Sequence, residues 1–117
     1  MKVLTGIKVL DFSHALSGPT CTNMLGMLGA TIIKVERPRL GDDFRHYTEH
    51  AGAPGMSIPF AGANCGKLSI TLDVKRPEGK QVADRLIDAA DMLVENFRPG
   101  TMDRLGLGEA AVRARNP

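Results

Sequence analysis

Short apolar runs alternate along the chain with longer segments in which apolar residues recur at helical spacing. Four runs, at residues 7–12, 30–36, 67–74 and 91–97, are short, rich in apolar residues that favour strands, and bounded by turn-forming residues. Such runs predict β-strands. In the third run, Leu68, Ile70 and Leu72 alternate with polar residues, which is the two-residue period of a half-buried strand.

One helix is predicted between the first and second strands, and another between the third and fourth. Ser17, Gly18 and Pro19 give a helix start, and Gly29 is placed to end that helix. Its predicted apolar stripe consists of Met24, Leu25 and Leu28.

A second helix is predicted to begin at Pro77 and Glu78, and a short last helix follows over residues 108–116. The apolar positions of the second helix recur at helical spacing and are Val82, Ala83, Leu86, Ile87 and Ala90.

The order of these elements predicts an α/β fold. A strand, a helix of about a dozen residues and another strand form a crossover between parallel strands, and this unit occurs twice. The sequence therefore predicts a largely parallel sheet flanked by helices. Residues 38–66, which are rich in glycine and proline, show no sustained period and are predicted to be irregular.

Composition narrows the class of protein. The chain has 117 residues, which is enough for one domain, with a net charge of +2, no Trp and a single Tyr. Scattered positive charge with few aromatic residues argues against a nucleic-acid partner. No signal peptide or apolar run of about 18 residues is present, which predicts no membrane segment and a cytoplasmic location.

The two cysteines and three histidines do not predict a metal or redox site. Cys21 and Cys65 are far apart in sequence, and we expect buried or half-buried free thiols. His14, His46 and His50 lack the spacing to carboxylates or thiols that a metal site needs. Asp42 and Asp43 form an acidic pair, for which solvated loop carboxylates are the expected interpretation.

Candidate ligand contacts follow the predicted strands, since open parallel sheets bind ligands outside the carboxyl ends of their strands. Arg37, Lys67, Arg98 and Arg104 are candidates for phosphate binding or, alternatively, a solvated basic surface. Phe97 either stacks on a base or belongs to the core. Asn96 either binds a ligand or caps the turn before Pro99.

Standard nucleotide-binding and hydrolase motifs are absent. The chain contains neither G-x-G-x-x-G nor G-x-x-x-x-G-K-[ST], and Ser17 lacks the G-x-S-x-G context of a nucleophile elbow. NAD, ATP and serine-hydrolase functions are therefore not predicted.

Three motifs in order give the chain a resemblance to a known family. The stretches "GIKVLDFS…SGPTCTNMLGMLGATIIKVERPRLGDDFRHY", "NCGKLSITLDVKRPEGK" and "ADMLVENFRPGTMDRLGLG" closely resemble the N-terminal part of the family III CoA-transferases. That family includes formyl-CoA:oxalate, carnitine and bile-acid CoA-transferases and has the α-methylacyl-CoA racemases as relatives. The resemblance implies a Rossmann-like domain over residues 1–117 that binds the nucleotide of coenzyme A, within a larger interlocked homodimer.

The resemblance also implies positions for a CoA site. Residues that match this site come from four segments of the chain: Leu16, Ser17, Arg37, Asn64, Cys65, Gly66, Lys67, Asn96, Phe97, Arg98 and Arg104. Leu16 stands where some transferases have a polar residue, which puts the contact near the acyl end in doubt. No metal or permanently bound cofactor is implied, and the expected partners are a CoA thioester and a carboxylic acid acceptor.

The implied chemistry leaves this chain without a catalytic residue. The nucleophilic aspartate of the family lies beyond the segment matched here, so we expect the 117 residues alone to bind CoA and to be inactive. The racemase branch is an alternative, because its acid–base residues also lie downstream. A stand-alone CoA-binding or dimer-interfering module, and a remnant without binding, are alternatives of another class.

Overall fold

The fold is organised around one four-stranded parallel sheet. A computed structural model describes residues 1–50 and 53–117. Strand β1 (Lys8–Asp11) lies between β2 (Thr31–Glu36) and β6 (Met92–Val94), and β5 (Leu68–Thr71) pairs with β2. All three pairings are parallel, which confirms the predicted fold class, an α/β fold with a largely parallel sheet flanked by helices.

Helices cover both faces of this sheet. They are α1 (Ser17–Met27), α2 (Ile58–Asn64), α3 (Pro77–Asp88), α4 (Thr101–Arg104) and α5 (Glu109–Arg115). As predicted, α1 begins at Ser17 and Pro77 opens α3; Gly29 follows the end of α1 with a positive φ of 110°, which suits glycine.

One face of the sheet carries the apolar core. Leu10, Phe12 and Val35 are buried there against Ala83 and Ile87 of α3. Met102 of α4 and Leu107 complete this cluster. The predicted apolar positions of α3 are largely confirmed, although Val82 is 37% exposed and lies at the margin.

Helix α1 packs on the other face through small residues. Gly18 and Thr22 are buried, and a Cβ at Gly26 would lie 3.2 Å from Ile32 Cγ1. Because positions 18, 22 and 26 recur every fourth residue, they form one face of the helix that approaches the strands closely.

The prediction that α1 buries a stripe of large apolar side chains was wrong. Met24 and Leu28 are 59% and 50% exposed, and Leu25 is only half-buried. The reason is steric, since the close approach of α1 to the sheet leaves room for small side chains on the buried face. The larger apolar side chains are turned outward.

Residues 38–66 are more regular than predicted. The structure shows a 3₁₀ turn (Asp43–His46), an antiparallel pair of β3 (Glu49–His50) with β4 (Ala53–Ser57), and α2. Residues 51 and 52 of this segment lie outside the described part of the chain. Short elements with glycine and proline inside them give no sustained period, which is why the sequence pattern missed them.

The burial predicted for the thiols was also wrong. Cys21 on α1 and Cys65 after α2 are free and exposed. None of the described helices is long and apolar enough to cross a membrane.

Candidate functional site

Charged side chains are buried on the α1 face of the sheet, where the strands end. Asp11, Lys34 and Glu36 are each at most 3% exposed, although they sit in strands. Asp11 is paired in register with Lys34, so their side chains share this face. Burying such groups is unfavourable unless each one is paired and hydrogen-bonded.

Asp11 and Lys67 form the first buried ion pair of this face. Lys67 Nζ lies 2.9 Å from Asp11 Oδ2, with exposed side-chain fractions of 2% and 0%. Asp11 also accepts hydrogen bonds from the hydroxyl groups of Ser13 and Thr22. Burial acts to raise the pKa of Asp11, but these hydrogen bonds and Lys67 outweigh it and hold the pKa below its ordinary value.

Lys34 and Asp42 form the second buried pair. Lys34 Nζ lies 2.8 Å from Asp42 Oδ2, and both side chains are at most 1% exposed. Asp42 was therefore wrongly expected to be solvated, whereas its neighbour Asp43 is 71% exposed at the surface. The 3₁₀ turn accounts for the difference, because Asp42 is its N-cap and accepts a hydrogen bond from Phe44 N.

Glu36 and Arg45 form a third pair at the end of β2. Arg45 donates to both oxygens of Glu36, with each N–O distance 2.7 Å. Burial raises the pKa of Glu36, but Arg45, the Asp42 backbone N–H and Ser69 lower it further, to about 2. Sequence reasoning missed these buried groups; their signal is the recurrence of Lys34 and Glu36 two residues apart in a strand next to Asp11.

The loop after β1 and the segment after β6 meet, as the fold rule predicts. Asn96 Nδ2 donates to Ser17 Oγ over 3.2 Å and to His14 O over 2.9 Å. Leu16, next to Ser17, is 58% exposed. The structure thus brings Leu16, Ser17 and Asn96 to one place on the surface.

Phe97 contacts both the apolar core and the loop after β1. Its half-buried ring packs against the apolar core and lies 5.3 Å from the His14 ring at a tilt of 51°. Burial lowers the pKa of His14, and Asp42 opposes the effect. Arg98, the next residue, is exposed.

Lys67, a predicted phosphate contact, is buried among hydrogen-bond acceptors of the protein itself. Its ammonium group donates to Asp11, Pro19 O, Thr22 Oγ1 and Asn64 Oδ1 at 2.7–2.9 Å. An ammonium group has three protons to donate, and these acceptors already exceed that number. The geometry therefore argues against a direct phosphate contact for Lys67 and for a role in holding Asp11.

Asn64 belongs to the same buried network, whereas its two neighbours do not. Cys65 and Gly66 are exposed in the turn before β5. The four predicted residues of this turn are thus divided between interior and surface.

Arg37 lies in a pocket of its own after β2. The pocket has a volume of about 310 Å³ and is also lined by Arg39, Arg45 and His46. The Arg37 guanidinium is paired with Asp43, and Arg37 Nε donates to Gly41 O over 3.0 Å.

Arg104 lies in a second basic pocket, of about 340 Å³, between the start of α3 and the end of α4. The charged residues that line it are Lys75, Arg76, Lys80 and Arg104, all of them basic. Lys80 is paired with Asp84 at 2.8 Å, and Arg104 Nη2 donates to Thr101 Oγ1 over 3.1 Å. The sequence analysis identified Arg104 but missed the three others, whose signal is the run of cations around Pro77.

Possible metal ligands are not grouped in the described part of the chain. Within residues 1–50 and 53–117, no group of three or more His, Cys, Asp or Glu side chains is arranged to hold a metal ion. The cations at the strand ends instead suit an anionic ligand that extends over several contacts.

Comparisons with known proteins identify the family that the chain resembles. The family model described as CoA-transferase family III matches residues 4–117. Formyl-CoA:oxalate CoA-transferases from Rhodopseudomonas palustris (strain BisB18) and Bradyrhizobium diazoefficiens are 47% and 48% identical over 117 residues. The match covers 99% of this chain and 27% of each relative, so the chain spans about a quarter of their length.

Solved structures show the same fold. The hypothetical protein Rv3272 from Mycobacterium tuberculosis superposes with a TM-score of 0.90 and 44% identity, over 100% of this chain and 32% of that one. A CAIB/BAIF family protein from Brucella suis gives a TM-score of 0.90 and 38% identity, over 99% of this chain and 31% of that one.

Proposed function

Because the chain belongs to CoA-transferase family III, we propose that its 117 residues bind the nucleotide of coenzyme A for a reaction that moves CoA between carboxylic acids. The ligand is a CoA thioester that is bound as a substrate, and the second substrate is a carboxylic acid. The relatives described as formyl-CoA:oxalate CoA-transferases support this substrate class, in which oxalate is one candidate acceptor.

The observation that carries the proposal is that every charged residue lining the Arg104 pocket is basic. Coenzyme A has a 3′-phosphate and a pyrophosphate, and each needs cations because a phosphate is unfavourable in a site without counter-charge. Lys75, Arg76 and Arg104 converge where the chain after β5 enters α3. This pocket is assigned to a phosphate of the nucleotide.

The acyl end of the ligand is assigned to Leu16 and Ser17, whereas Asn96, which lies beside Ser17, is assigned with Phe97 and Arg98 to the nucleotide. Leu16 is exposed and Ser17 lies at the first turn of α1, beside the Asn96 side chain. Phe97 and Arg98 follow Asn96 after β6, where the Phe97 ring is half-buried and Arg98 is exposed. Arg37 supplies a further cation at the end of β2, held by Asp43 at the surface.

In the proposed reaction a carboxylate oxygen attacks the thioester carbonyl, the carbon–sulfur bond breaks, and the CoA thiolate leaves as an acyl anhydride forms. We assign that carboxylate to an aspartate outside these residues. The two buried aspartates are poor nucleophiles, because Lys67 holds Asp11 and Lys34 holds Asp42. These 117 residues contribute binding and orientation.

The proposal includes assembly of the whole protein as a homodimer. On α1, Met24 and Met27 are 59% and 69% exposed, and Leu28 is 50% exposed beside them. Apolar side chains grouped in this way mark contact surfaces in many proteins. Replacing Met24 and Met27 by serine should weaken dimerisation in light-scattering measurements, and an unchanged dimer affinity would remove this surface from the proposal.

Calorimetric titration tests the proposal directly. We expect the chain to bind CoA about tenfold more tightly than 3′-dephospho-CoA, since hydrogen bonds to charged groups contribute about 1.5 kcal/mol or more. Arg104→Ala should remove most of that preference. Arg113→Ala, at an exposed arginine on α5, is the matched control and should preserve it. Equal affinities for the two ligands in the wild-type chain would contradict the assignment of the basic pocket.

A further inference from the structure

The backbone groups of the three residues that follow β1 and Phe12 are bound mainly by side chains. Ser13 N donates to Asp11 Oδ1, and Ser13 O accepts from Lys34 Nζ over 2.7 Å. His14 N donates to Asn96 Oδ1, and His14 O accepts from Asn96 Nδ2. We call residues 13–15 the strand-exit loop; its backbone groups are bound by side chains rather than by secondary structure.

Ala15 completes the strand-exit loop in an unusual conformation. Its φ is +62°, in the left-handed region that residues with a Cβ rarely adopt. Ala15 N donates to Asp42 Oδ1 over 2.9 Å. Such a conformation persists only where the surroundings determine it, and here the Asp42 carboxylate supplies the acceptor.

Asp42 is itself held rigidly. Its second oxygen is paired with Lys34, and its backbone N–H donates to Glu36 Oε2 over 3.0 Å. Burial raises the pKa of Asp42, but Lys34 and the N–H groups of Phe44 and Ala15 outweigh burial and lower it, which keeps the carboxylate ionised. The pair therefore binds both ends of the strand-exit loop. Lys34 donates a hydrogen bond to Ser13 O, and Asp42 accepts one from Ala15 N.

The loop leads directly into the proposed ligand contacts at Leu16 and Ser17. We propose that Lys34 and Asp42 are positioning residues, which fix the strand-exit loop in the left-handed shape that presents Leu16 and Ser17 to the acyl end of CoA. This inference rests on the proposed function. It assigns the buried pair to ligand binding as well as to the stability of the fold.

A charge-free double variant, Lys34→Met/Asp42→Ala, tests the inference in the full chain. Removing both partners avoids an unpaired buried charge, which a single substitution would leave. We expect the Kd for CoA to rise about tenfold, while the Kd for adenosine 3′,5′-bisphosphate stays within about twofold. The bisphosphate lacks the pantetheine arm and so does not reach Leu16 and Ser17 in the proposed arrangement.

Ala15→Gly in the double variant should restore most of the CoA affinity, because glycine adopts a positive φ without the steric conflict of a Cβ. A pair that only stabilised the fold would not be rescued in this way. Glu109→Ala/Arg113→Met, which removes an exposed ion pair on α5, is the matched control and should change neither affinity.

Ala15→Val in the wild-type background provides the result if the double variant fails to fold. It leaves the buried pair intact and disfavours the left-handed conformation, so the Kd for CoA should rise while that for the bisphosphate does not. The inference is overturned if the Kd for CoA is unchanged in a folded double variant or in Ala15→Val. It is also overturned if the affinities for CoA and for the bisphosphate fall equally. Neither result contradicts the proposed function. A wild-type chain that binds neither ligand overturns the proposed function and the inference with it.

Discussion

The two faces of the central sheet are built from the same strands but bury opposite kinds of side chain towards the carboxyl ends of β1 and β2. Leu10, Phe12 and Val35 point to the α3 face and pack among apolar residues. Asp11, Lys34 and Glu36 alternate with them and point to the α1 face, where they are equally buried. A shift of one residue along a strand therefore separates an apolar core from a buried charge network.

The difference lies in how each face is stabilised. Apolar burial is non-directional and scales with area, so the α3 face tolerates small changes of shape. Each charged group buried on the α1 face instead depends on specific partners at hydrogen-bond distance, as Asp11 depends on Lys67. The α1 face gains a fixed arrangement of loops at the strand ends, which is what a ligand site needs.

Asp11→Ala should have the largest effect, because it leaves the Lys67 ammonium buried and unpaired. We expect a loss of about 3–5 kcal/mol in the free energy of unfolding, measured with urea. The double variant Asp11→Ala/Lys67→Met should lose less than the single one. A single variant that is no less stable than the double would show that the pair is not buried as described.

Acid should weaken the α1 face through Glu36. Its pKa is about 2 in the folded chain and 4.5 ordinarily, so the unfolded chain binds the proton more readily between these values. Stability that is present above about pH 4.5 is thus lost as the pH falls towards 2, by an amount on the order of 3 kcal/mol.

Glu36→Gln provides the comparison for that pH dependence. The difference in unfolding free energy between wild type and variant should be greatest at pH 7 and should shrink below pH 4. A difference that does not vary with pH would mean that the Arg45 contact does not lower the pKa of this carboxyl group.

Gly18→Ala should cost about 1–3 kcal/mol, since an added Cβ would overlap the Ser13 side chain. Gly62→Ala in α2 is the control, because a Cβ there meets no atom within 4 Å. That change should stabilise the chain by about 0.5–1 kcal/mol through helix propensity. Thermal unfolding of the two variants distinguishes close packing of α1 from a general effect of removing glycine.

Ile87→Val should have the smallest effect, at about 0.5–1.5 kcal/mol, because it removes one methylene from the apolar face. CoA affinity should not change, since Ile87 lies against the α3 face of the sheet. A loss of affinity without loss of stability would show that the two faces are coupled.

The sequence predicted the apolar face better than the charged one. The short apolar run at residues 7–12 correctly indicated a strand, and the helical period of Ala83 and Ile87 correctly placed them against the core. Asp42 was expected in solvent because nothing local shows that Lys34, eight residues earlier, lies against it. Pairings between distant side chains depend on the tertiary arrangement, which a local period does not contain.

The candidate site follows the same division. The rule that ligands lie at the carboxyl ends of parallel strands selected the segments that contain Ser17 and Asn96, and the structure brings these two side chains within hydrogen-bond distance. It gave no reason to place Lys67 inside the protein or to group Lys75, Arg76 and Lys80 with Arg104. The position of Lys67 depends on the burial of its side chain against Asp11. The grouping of the four cations depends on the direction in which α3 leaves the sheet.

Chemical-shift mapping during titration with CoA tests the central claim most directly, since each backbone amide reports its own environment. The account predicts that the largest changes fall on Leu16, Ser17, Lys75 and Arg104, at the carboxyl ends of the strands. It predicts little change around the cavity beside α5, which Met92 and Val112 help to line. Changes centred on that cavity, or none at saturating CoA, would contradict a nucleotide site at the strand ends.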